Sequence, residues 1–502
     1  MHYFVPNPTF FLHIWEIMCI FAANFKIIRF MLIGRNKEQE QLLSLLKSDQ
    51  SEFVAIYGRR RVGKTYLIRQ TYKNKFAFQH SGLSKGNMAD QLEEFRNSLM
   101  NAGMPKVPKL KSWSQAFFQL GQLLASMPNG KKVVFIDELP WMDTPKSKLI
   151  SALEHFWNGW ASAREDIVLV VCGSATSWII NKIVRNYGGL HDRLTRQIAL
   201  APFTLKECEL YAKKRGLGLT RKNILETYMV LGGIPFYWSL LQPKLSAAQN
   251  IDELFFAKKG ELRNEFNALY ASLFRSPQVY IDIVTTLATK KIGMTYTELR
   301  QQIESNLGGK LTDKLEELEQ CDFIRSYNAI GKAKKDTLYQ LIDNFTLFYF
   351  KFIAENTTNN AHYWTNSYGK PNYNTWAGLA YERVCMQHEQ QIKEALGIAG
   401  IDTSVYSWTY RAKTKSEKGA QIDMLIDRGD DVINVCEMKY YKTKYSLTDN
   451  DLEMILNRIG IFESQIRTNK SVRPVMITSY GLVENEYSNE IIHQLTMQDL
   501  FR

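Results

Sequence analysis

The segment Gly58-Arg59-Arg60-Arg61-Val62-Gly63-Lys64-Thr65 fits the phosphate-binding pattern G-x-x-x-x-G-K-[ST], and the apolar run Phe53-Val54-Ala55-Ile56-Tyr57 leads directly into it. The glycines are needed because backbone N–H groups must close around phosphate with no Cβ in the way. The helix that follows adds the positive end of its dipole. Residues 66–72 are amphipathic, as that helix requires. A strand, loop and helix in this order imply a parallel α/β sheet and a nucleoside triphosphate ligand. Lys64 would reach the β- and γ-phosphates and Thr65 would ligate Mg²⁺.

At 502 residues the chain is too long for one core, and roughly 100 to 200 residues per domain predicts about three domains. A formal net charge of +12 and a pI near 9.1 favour an acidic partner, with nucleic acid first and anionic membrane second. A merely soluble basic surface would read the same way. Cys19, Cys172, Cys208, Cys321, Cys385 and Cys436 form no C-x-x-C pair and mostly sit in apolar runs. They read as small core residues of a reducing, cytoplasmic compartment. Residues 1–30 differ from the rest. Their apolar stretch, 14–23, is short and interrupted by Glu16, so a membrane span is not expected, and no small-residue cleavage site stands out. Met31 directly precedes Leu32-Ile33-Gly34-Arg35. Translation is expected to start at Met31, with residues 1–30 as an upstream extension.

The run Val133-Val134-Phe135-Ile136-Asp137-Glu138 lies about seventy residues after the phosphate loop. It reads as a buried parallel strand delivering two acids to its C-terminal edge. Asp137 would hold Mg²⁺ and Glu138 would polarise the attacking water. A third apolar run, 167–173, ends in Ser174-Ala175-Thr176. Ser174 there is either a sensor of the γ-phosphate or a helix cap. Arg193 and Arg196 are arginine candidates for transition-state charge, within the chain or across a subunit interface. Pairing with Asp192 at the surface is the other reading of either. Gly232-Gly233-Ile234-Pro235 would make a tight turn that aims a helix at the nucleotide.

With Ile33-Gly34-Arg35, the arginine-rich phosphate loop, Asp137-Glu138, Gly173-Ser174 and Gly232-Gly233-Ile234-Pro235, the chain resembles the archaeal-type AAA-like ATPases, close to the signal-transducing (STAND-related) P-loop ATPases. The resemblance spans residues 32–500. It implies ATP as the nucleotide and a nucleotide-governed conformational switch, with a winged helix and a nuclease-like C-terminal domain behind the ATPase. Where such proteins often carry Gly-Arg-Arg near the second arginine element, this chain has His191-Asp192-Arg193, which weakens an arginine-finger role.

Between 275 and 345 the pattern changes to short helices at 279–288, 296–300 and 310–321, then strands at 323–327 and 337–341 around a basic tip. This predicts a winged helix. Lys310, Lys314, Lys332, Lys334 and Lys335 are its DNA-facing candidates. A spacer or protein-contact role is the alternative, since the third helix also carries Asp313, Glu316, Glu317 and Glu319.

Residues 421–426 and 432–439 read as a hairpin turning at Asp430. That turn would set Asp423 opposite Glu437 and Gln421 opposite Lys439 on one polar face, with Ile422, Met424, Ile426, Cys436 and Met438 on an apolar one. Two adjacent carboxylates repel unless a divalent cation sits between them, and that cation can activate water. Asp423, Glu437 and Lys439 resemble the Asp…Glu-x-Lys pattern of the PD-(D/E)xK nuclease core. The resemblance implies catalytic and metal-binding roles there, and an accessory metal ligand at Glu382 on the preceding helix. A solvated hairpin with a cross-strand salt bridge, or a nuclease fold without turnover, fits the same residues. Arg411, Lys413, Lys415, Lys418, Lys442 and Lys444, with Tyr440 and Tyr441 among them, suit a phosphate backbone or a soluble rim equally.

The expected organisation is an extension at 1–30, a P-loop ATPase domain at 31–200, a helical lid at 201–274, a winged helix at 275–345 and a restriction-endonuclease-like α/β domain at 346–502. The function expected is an ATP-hydrolysing switch coupled to a nuclease-like, DNA-interacting domain, with a homo-oligomer open. The alternative is a nucleotide-gated DNA- or protein-binding regulator without nuclease turnover.

Overall fold

The computed structural model describes residues 32–502 except 186–187, 191, 275, 304–309, 329–335, 357, 359, 413 and 415–416. Residues 1–30, Met31, His191, Lys332, Lys334, Lys335, Lys413 and Lys415, and the expectations placed on them, lie outside the described residues.

Strands β1 (Glu52–Tyr57), β2 (Phe76–Ser81), β3 (Lys132–Asp137), β4 (Ile167–Cys172) and β5 (Arg196–Ala199) form one parallel sheet in the order β2-β3-β4-β1-β5. Alternate residues enter two cores: Val54, Ile56, Val168 and Val170 face one, while Phe53, Ala55, Leu169 and Val171 face the other. Burial on both faces is why these strands read as unbroken apolar runs. The parallel α/β sheet expected from the phosphate loop is therefore present. It places the loop outside the C-terminal end of β1, between β4 and β5, where ligands of open parallel sheets bind.

From residue 205 the chain is helical, with α2 (Arg221–Leu231), α3 (Pro235–Ser239) and α4 (Glu265–Leu273) following α1 (Lys64–Tyr72) in this order. Gly232 ends α2 at φ 60, and a Cβ on Gly233 would stand 1.9 Å from the Phe203 carbonyl oxygen. Next come α5 (Pro277–Ala288), β6 (Met294–Thr295), α6 (Tyr296–Gln302), α7 (Leu311–Gln320), β7 (Ile324–Tyr327) and β8 (Leu338–Leu341). The strands form an antiparallel sheet in the order β6-β8-β7. Leu311, Leu315 and Leu318 bury one face of α7.

The C-terminal part begins with α8 (Asn344–Phe352) and α9 (Pro371–Gln387). Strands β9 (Thr403–Tyr410), β10 (Ala420–Arg428), β11 (Val432–Lys439), β12 (Ser471–Thr478) and β13 (His493–Thr496) form a sheet in the order β13-β12-β11-β10-β9. β9, β10 and β11 are antiparallel, β11, β12 and β13 parallel, and α10 (Asp449–Ile466) is the crossover between β11 and β12.

The observed pairs Met424 with Cys436 and Asp427 with Ile433 keep the register that a turn at Asp430 predicts. The expected division into one polar and one apolar face needs correction. The register against β9 shifts between Ile422 and Leu425, so Ile422 packs with Leu425, Ile433 and Val435 against Phe462 of α10, while Met424 and Cys436 enter the main core. Ile426 and Met438 enter the main core as well, so of the five residues expected on the apolar face only Ile422 departs; the other face is apolar toward the turn at Leu425, Ile433 and Val435, and carries Gln421, Asp423, Glu437 and Lys439 half-buried at its far end. The five described cysteines are free and buried.

Candidate functional site: the phosphate loop and the C-terminal acids

Gly58 (φ 140), Arg61 (φ 69) and Gly63 (φ 92) turn the chain between β1 and α1. A Cβ on Gly58 would meet the Leu200 carbonyl oxygen at 2.3 Å, so glycine is required there. Val62 anchors the loop in the core. The Lys64 ammonium is buried and donates to the carbonyls of Gly58 at 2.7 Å and Arg59 at 3.0 Å. Burial lowers its pKa, opposed by Cys172, Glu138 and Asp137. An anion in the loop would relieve that cost, because it would supply the charge partner the carbonyls do not.

Thr65 Oγ1 donates to Asp137 Oδ2 at 2.9 Å, and Asp137 Oδ1 accepts from the Glu138 backbone N–H at 3.0 Å and from Cys172 Sγ at 2.8 Å. A hydroxyl and a carboxylate side by side are the oxygen donors a hard cation takes. The residues therefore fit Mg²⁺, which Thr65 and Asp137 would hold and which would supply phosphate charge neutralisation. Glu138 has left-handed backbone (φ 47), a conformation non-glycine residues hold chiefly where surrounding structure imposes it. Its Oε2 accepts both the Ser174 backbone N–H at 3.0 Å and the Ser174 hydroxyl at 2.9 Å. Ser174 thus holds Glu138, and the helix Thr176–Ile179 has Ala175 as its N-cap residue.

Two of the loop's arginines pair with later elements of the chain. Arg59 is 3% exposed and bonds Asp343 at 2.5 Å, with its guanidinium 4.4 Å from the Phe323 ring centroid. Burial alone would lower its pKa, and Asp343 more than reverses this. Asp343 Oδ2 also accepts the Thr346 N–H and so caps α8. Arg61 pairs with Glu265 of α4 and lies 4.2 Å from the centroid of the Phe236 ring of α3. The helix launched by Gly232-Gly233-Ile234-Pro235 is therefore aimed at the loop, through Arg61. Arg60 is half-buried. Arg196 begins β5 level with Val54, toward the strand ends opposite the phosphate loop, and Arg193 precedes it; both are exposed. The structure does not bring either to the loop of its own chain.

Of the DNA-facing candidates on the third helix of the middle segment, Lys314 is engaged within the chain and Lys310 is exposed. Lys314 Nζ donates to the Tyr280 hydroxyl at 2.7 Å, and Tyr280 in turn bonds Glu317. Glu316 pairs with Arg185 at 2.6 Å, and α7 packs on the helix Thr176–Ile179. Only Lys310, at the exposed start of α7, stays toward solvent among the described lysines of that set.

At the C-terminal acids, Asp423 Oδ2 lies 3.1 Å and Glu382 Oε2 2.6 Å from Lys291 Nζ, while Asp423 Oδ1 accepts from Gln421 at 2.7 Å. Burial and the neighbouring Asp423 raise the Glu382 pKa, and Lys291 opposes them. Glu437 instead takes Lys439 on Oε1 and Arg458 on Oε2, each at 2.8 Å. The carboxylates take different cations, Lys291 for Glu382 and Asp423 and Lys439 with Arg458 for Glu437, although the Glu437 charge also acts to raise the Glu382 pKa. Among the described residues no cluster of three or more Asp, Glu, His or Cys is disposed to hold a metal ion. The metal expected on Glu382, Asp423 and Glu437 does not fit this arrangement, because ammonium and guanidinium groups already neutralise them.

Sequence reasoning missed Asp343, Lys291 and Arg458, whose roles arise from contacts across hundreds or tens of residues. It also missed Glu226 of α2, whose Oε1 accepts from Tyr368 at 2.7 Å, Tyr373 at 3.2 Å, Tyr440 at 2.6 Å and Lys222 at 2.8 Å. Tyr440 directly follows Lys439, so this carboxylate ties the end of β11 to α2.

The sheet, the glycine-framed loop and the acid-ended strand beside it define a nucleotide-binding domain of the P-loop type. Residues 32–241 match the model of a family described as an ATPase domain predominantly from Archaea, and this part of the chain is an archaeal-type ATPase domain. An uncharacterized protein of Methanocaldococcus jannaschii is 23% identical over 432 residues, which are 85% of this chain and 90% of that protein. Among solved structures, a Walker-type ATPase of Pyrococcus abyssi aligns with 64% of this chain and 96% of its own, at 17% identity and a TM-score of 0.46. The ORC2 protein of Aeropyrum pernix, solved in ADPNP–ADP complexes, aligns with 63% of this chain and 92% of its own, at 16% identity and a TM-score of 0.40. Among the described residues no helix is long and apolar enough to cross a membrane.

Proposed function

We propose that the chain is a switch that binds and hydrolyses ATP with Mg²⁺. Its ATPase domain at 31–200 and lid at 201–274 would act through a winged-helix unit at 275–345 on a nuclease-like unit at 346–502. The observation that carries this reading is the convergence of Lys64, Thr65, Asp137 and Glu138 at one edge of a parallel sheet. Lys64 binds the β- and γ-phosphates once it turns from the loop carbonyls. Thr65 and Asp137 would hold the cation, which would neutralise phosphate charge. Glu138 accepts the proton of the attacking water after leaving Ser174, and Ser174 then faces the γ-phosphate. Coupling to the later units is supported by the Arg59 to Asp343 and Arg61 to Glu265 pairs, which join the loop itself to elements more than two hundred residues away. A transition-state role for Arg193 or Arg196 would require a second copy of the chain. A reducing, cytoplasmic setting suits the buried free cysteines.

The helix–strand–helix–helix–hairpin order of the middle segment supports the winged-helix reading, and the α9–hairpin–crossover order supports the nuclease-like one. DNA remains the proposed acidic partner on the net charge of +12. Neutralisation of Asp423, Glu382 and Glu437 by basic side chains favours a second reading for this unit, that of a binding or regulatory module without turnover.

Binding of a fluorescent ATP analogue and phosphate release test the switch. Lys64→Ala is expected to lose binding. Glu138→Gln is expected to keep binding and lose roughly 10²-fold or more in turnover. Unchanged hydrolysis in both variants would exclude this site.

A further inference from the structure

Lys291 belongs to the turn between α5 and β6, yet its ammonium lies within ion-pair distance of Glu382 on α9 and Asp423 on β10. The turn is fixed rather than loose. The Lys291 carbonyl accepts from Gln340 Nε2 and the Ile292 carbonyl from the Tyr327 hydroxyl, both at 2.6 Å. Gly293 has φ 86, and a Cβ there would meet the Tyr339 carbonyl oxygen at 2.3 Å. Beside it Arg325 bonds Gln340 at 2.7 Å and Ser407 at 3.1 Å, and Ser407 donates to the Asp423 carbonyl at 2.6 Å. Middle segment and hairpin are thus joined by two basic side chains around one acid.

We infer that Lys291 is a built-in counter-cation: it fills the place between Glu382 and Asp423 where a divalent ion would neutralise the pair, so the chain in this conformation takes no divalent metal there. Two carboxylates at one spot require positive charge or a shared proton, and a lysine on a pinned turn supplies the charge for the entropy of one side chain, with no ion captured from solution. Glu437 does not complete the group, since Lys439 and Arg458 occupy both of its oxygens. Metal entry would require the Lys291 ammonium to leave the pair, by rotation of its stem or by withdrawal of the turn that carries it, which makes Lys291 the contact through which the middle segment bears on the acids. The inference rests on the nuclease-like reading only in its naming of the acids as a metal position.

The test is a Mn²⁺ titration of the full chain without nucleotide, with free Mn²⁺ counted by electron paramagnetic resonance. Lys291→Met keeps the aliphatic stem and removes the charge, and Lys291→Arg keeps the charge. Lys291→Met is expected to bind Mn²⁺ at least about tenfold more tightly than wild type, since a unit charge a few ångströms away is removed. Lys291→Arg should behave as wild type, and Lys291→Met with Asp423→Asn should lose the gain. A Mn²⁺ site in the wild type that Asp423→Asn abolishes would overturn the inference, and this comparison needs no Lys291 variant to fold. So would a Lys291→Met protein that binds ATP analogue normally yet gains no Mn²⁺. Gain of Mn²⁺ without DNA cleavage would leave the inference standing and remove the nuclease reading alone.

Discussion

Arg59 sits in a loop whose chemistry calls for phosphate contacts, and its guanidinium is nevertheless buried against Asp343. Removing one partner of such a pair strands a charge in the interior, which typically costs about 3–5 kcal/mol. Asp343→Asn should therefore lower the unfolding free energy measured in urea by an amount of that order, and a change below about 1 kcal/mol would show that the pair is replaceable. Asp343→Asn also removes charge 284 residues from Arg59 in sequence, so an accompanying change in nucleotide affinity would report coupling rather than direct contact. The residues proposed to touch phosphate and cation were legible in the sequence because Lys64, Thr65, Asp137 and Glu138 follow from a local pattern and one strand end. Asp343 was not, because nothing local distinguishes it from an ordinary helix cap, and it is also that. Lys291 and Arg458 were hidden for the same reason: their significance is which acids they meet.

At the scale of elements, the helix α2 and the turn after it hold the sheet, the lid and the C-terminal unit at once. Gly233 lies so close to Phe203 that a methyl group cannot be added without moving backbone, and the Phe203 N–H donates to the Gly233 carbonyl at 2.6 Å. Gly233→Ala is expected to destabilise the chain by about 1–3 kcal/mol or more, read as a lowered unfolding temperature. Gly378→Ala, inside α9 where a Cβ would meet nothing within 4 Å, is the matching control and should be neutral to stabilising by up to about 1 kcal/mol. The long buried strands and the hairpin turn were readable from periodicity. The two-residue β6 and the register shift in β10 were not. The first is too short to show a pattern, and the second depends on how β9 pairs. That shift is what sends Ile422 to the α10 side.

For the molecule as a whole, one apolar core runs from a face of the nucleotide sheet through the helical segment and middle segment to the C-terminal sheet. Two histidines buried in the fold make it sensitive to acid. Burial holds His80 and His388 near pKa 4, below the ordinary 6.5, and His388 Nε2 accepts the Leu205 N–H at 3.1 Å. The unfolded chain takes up these protons first as pH falls, so their contribution is complete above about pH 6.5 and is lost on approach to pH 4. Each is worth up to roughly 3 kcal/mol. The urea midpoint should fall between pH 7 and pH 5, and His388→Gln, which can still accept from Leu205, should flatten that slope. A slope unchanged in the variant would assign the acid sensitivity elsewhere.

The central claim is that nucleotide in the phosphate loop is felt at the C-terminal acids through Arg59, Asp343 and the middle segment. Hydrogen exchange of the full-length Glu138→Gln protein, with Mg²⁺ and either ATP or ADP, tests it most directly. The account predicts that peptides covering 289–293 and 421–439 exchange differently in the two states, and that Asp343→Asn erases the difference. Equal exchange in those peptides, with both nucleotides bound and the phosphate loop protected, would contradict it.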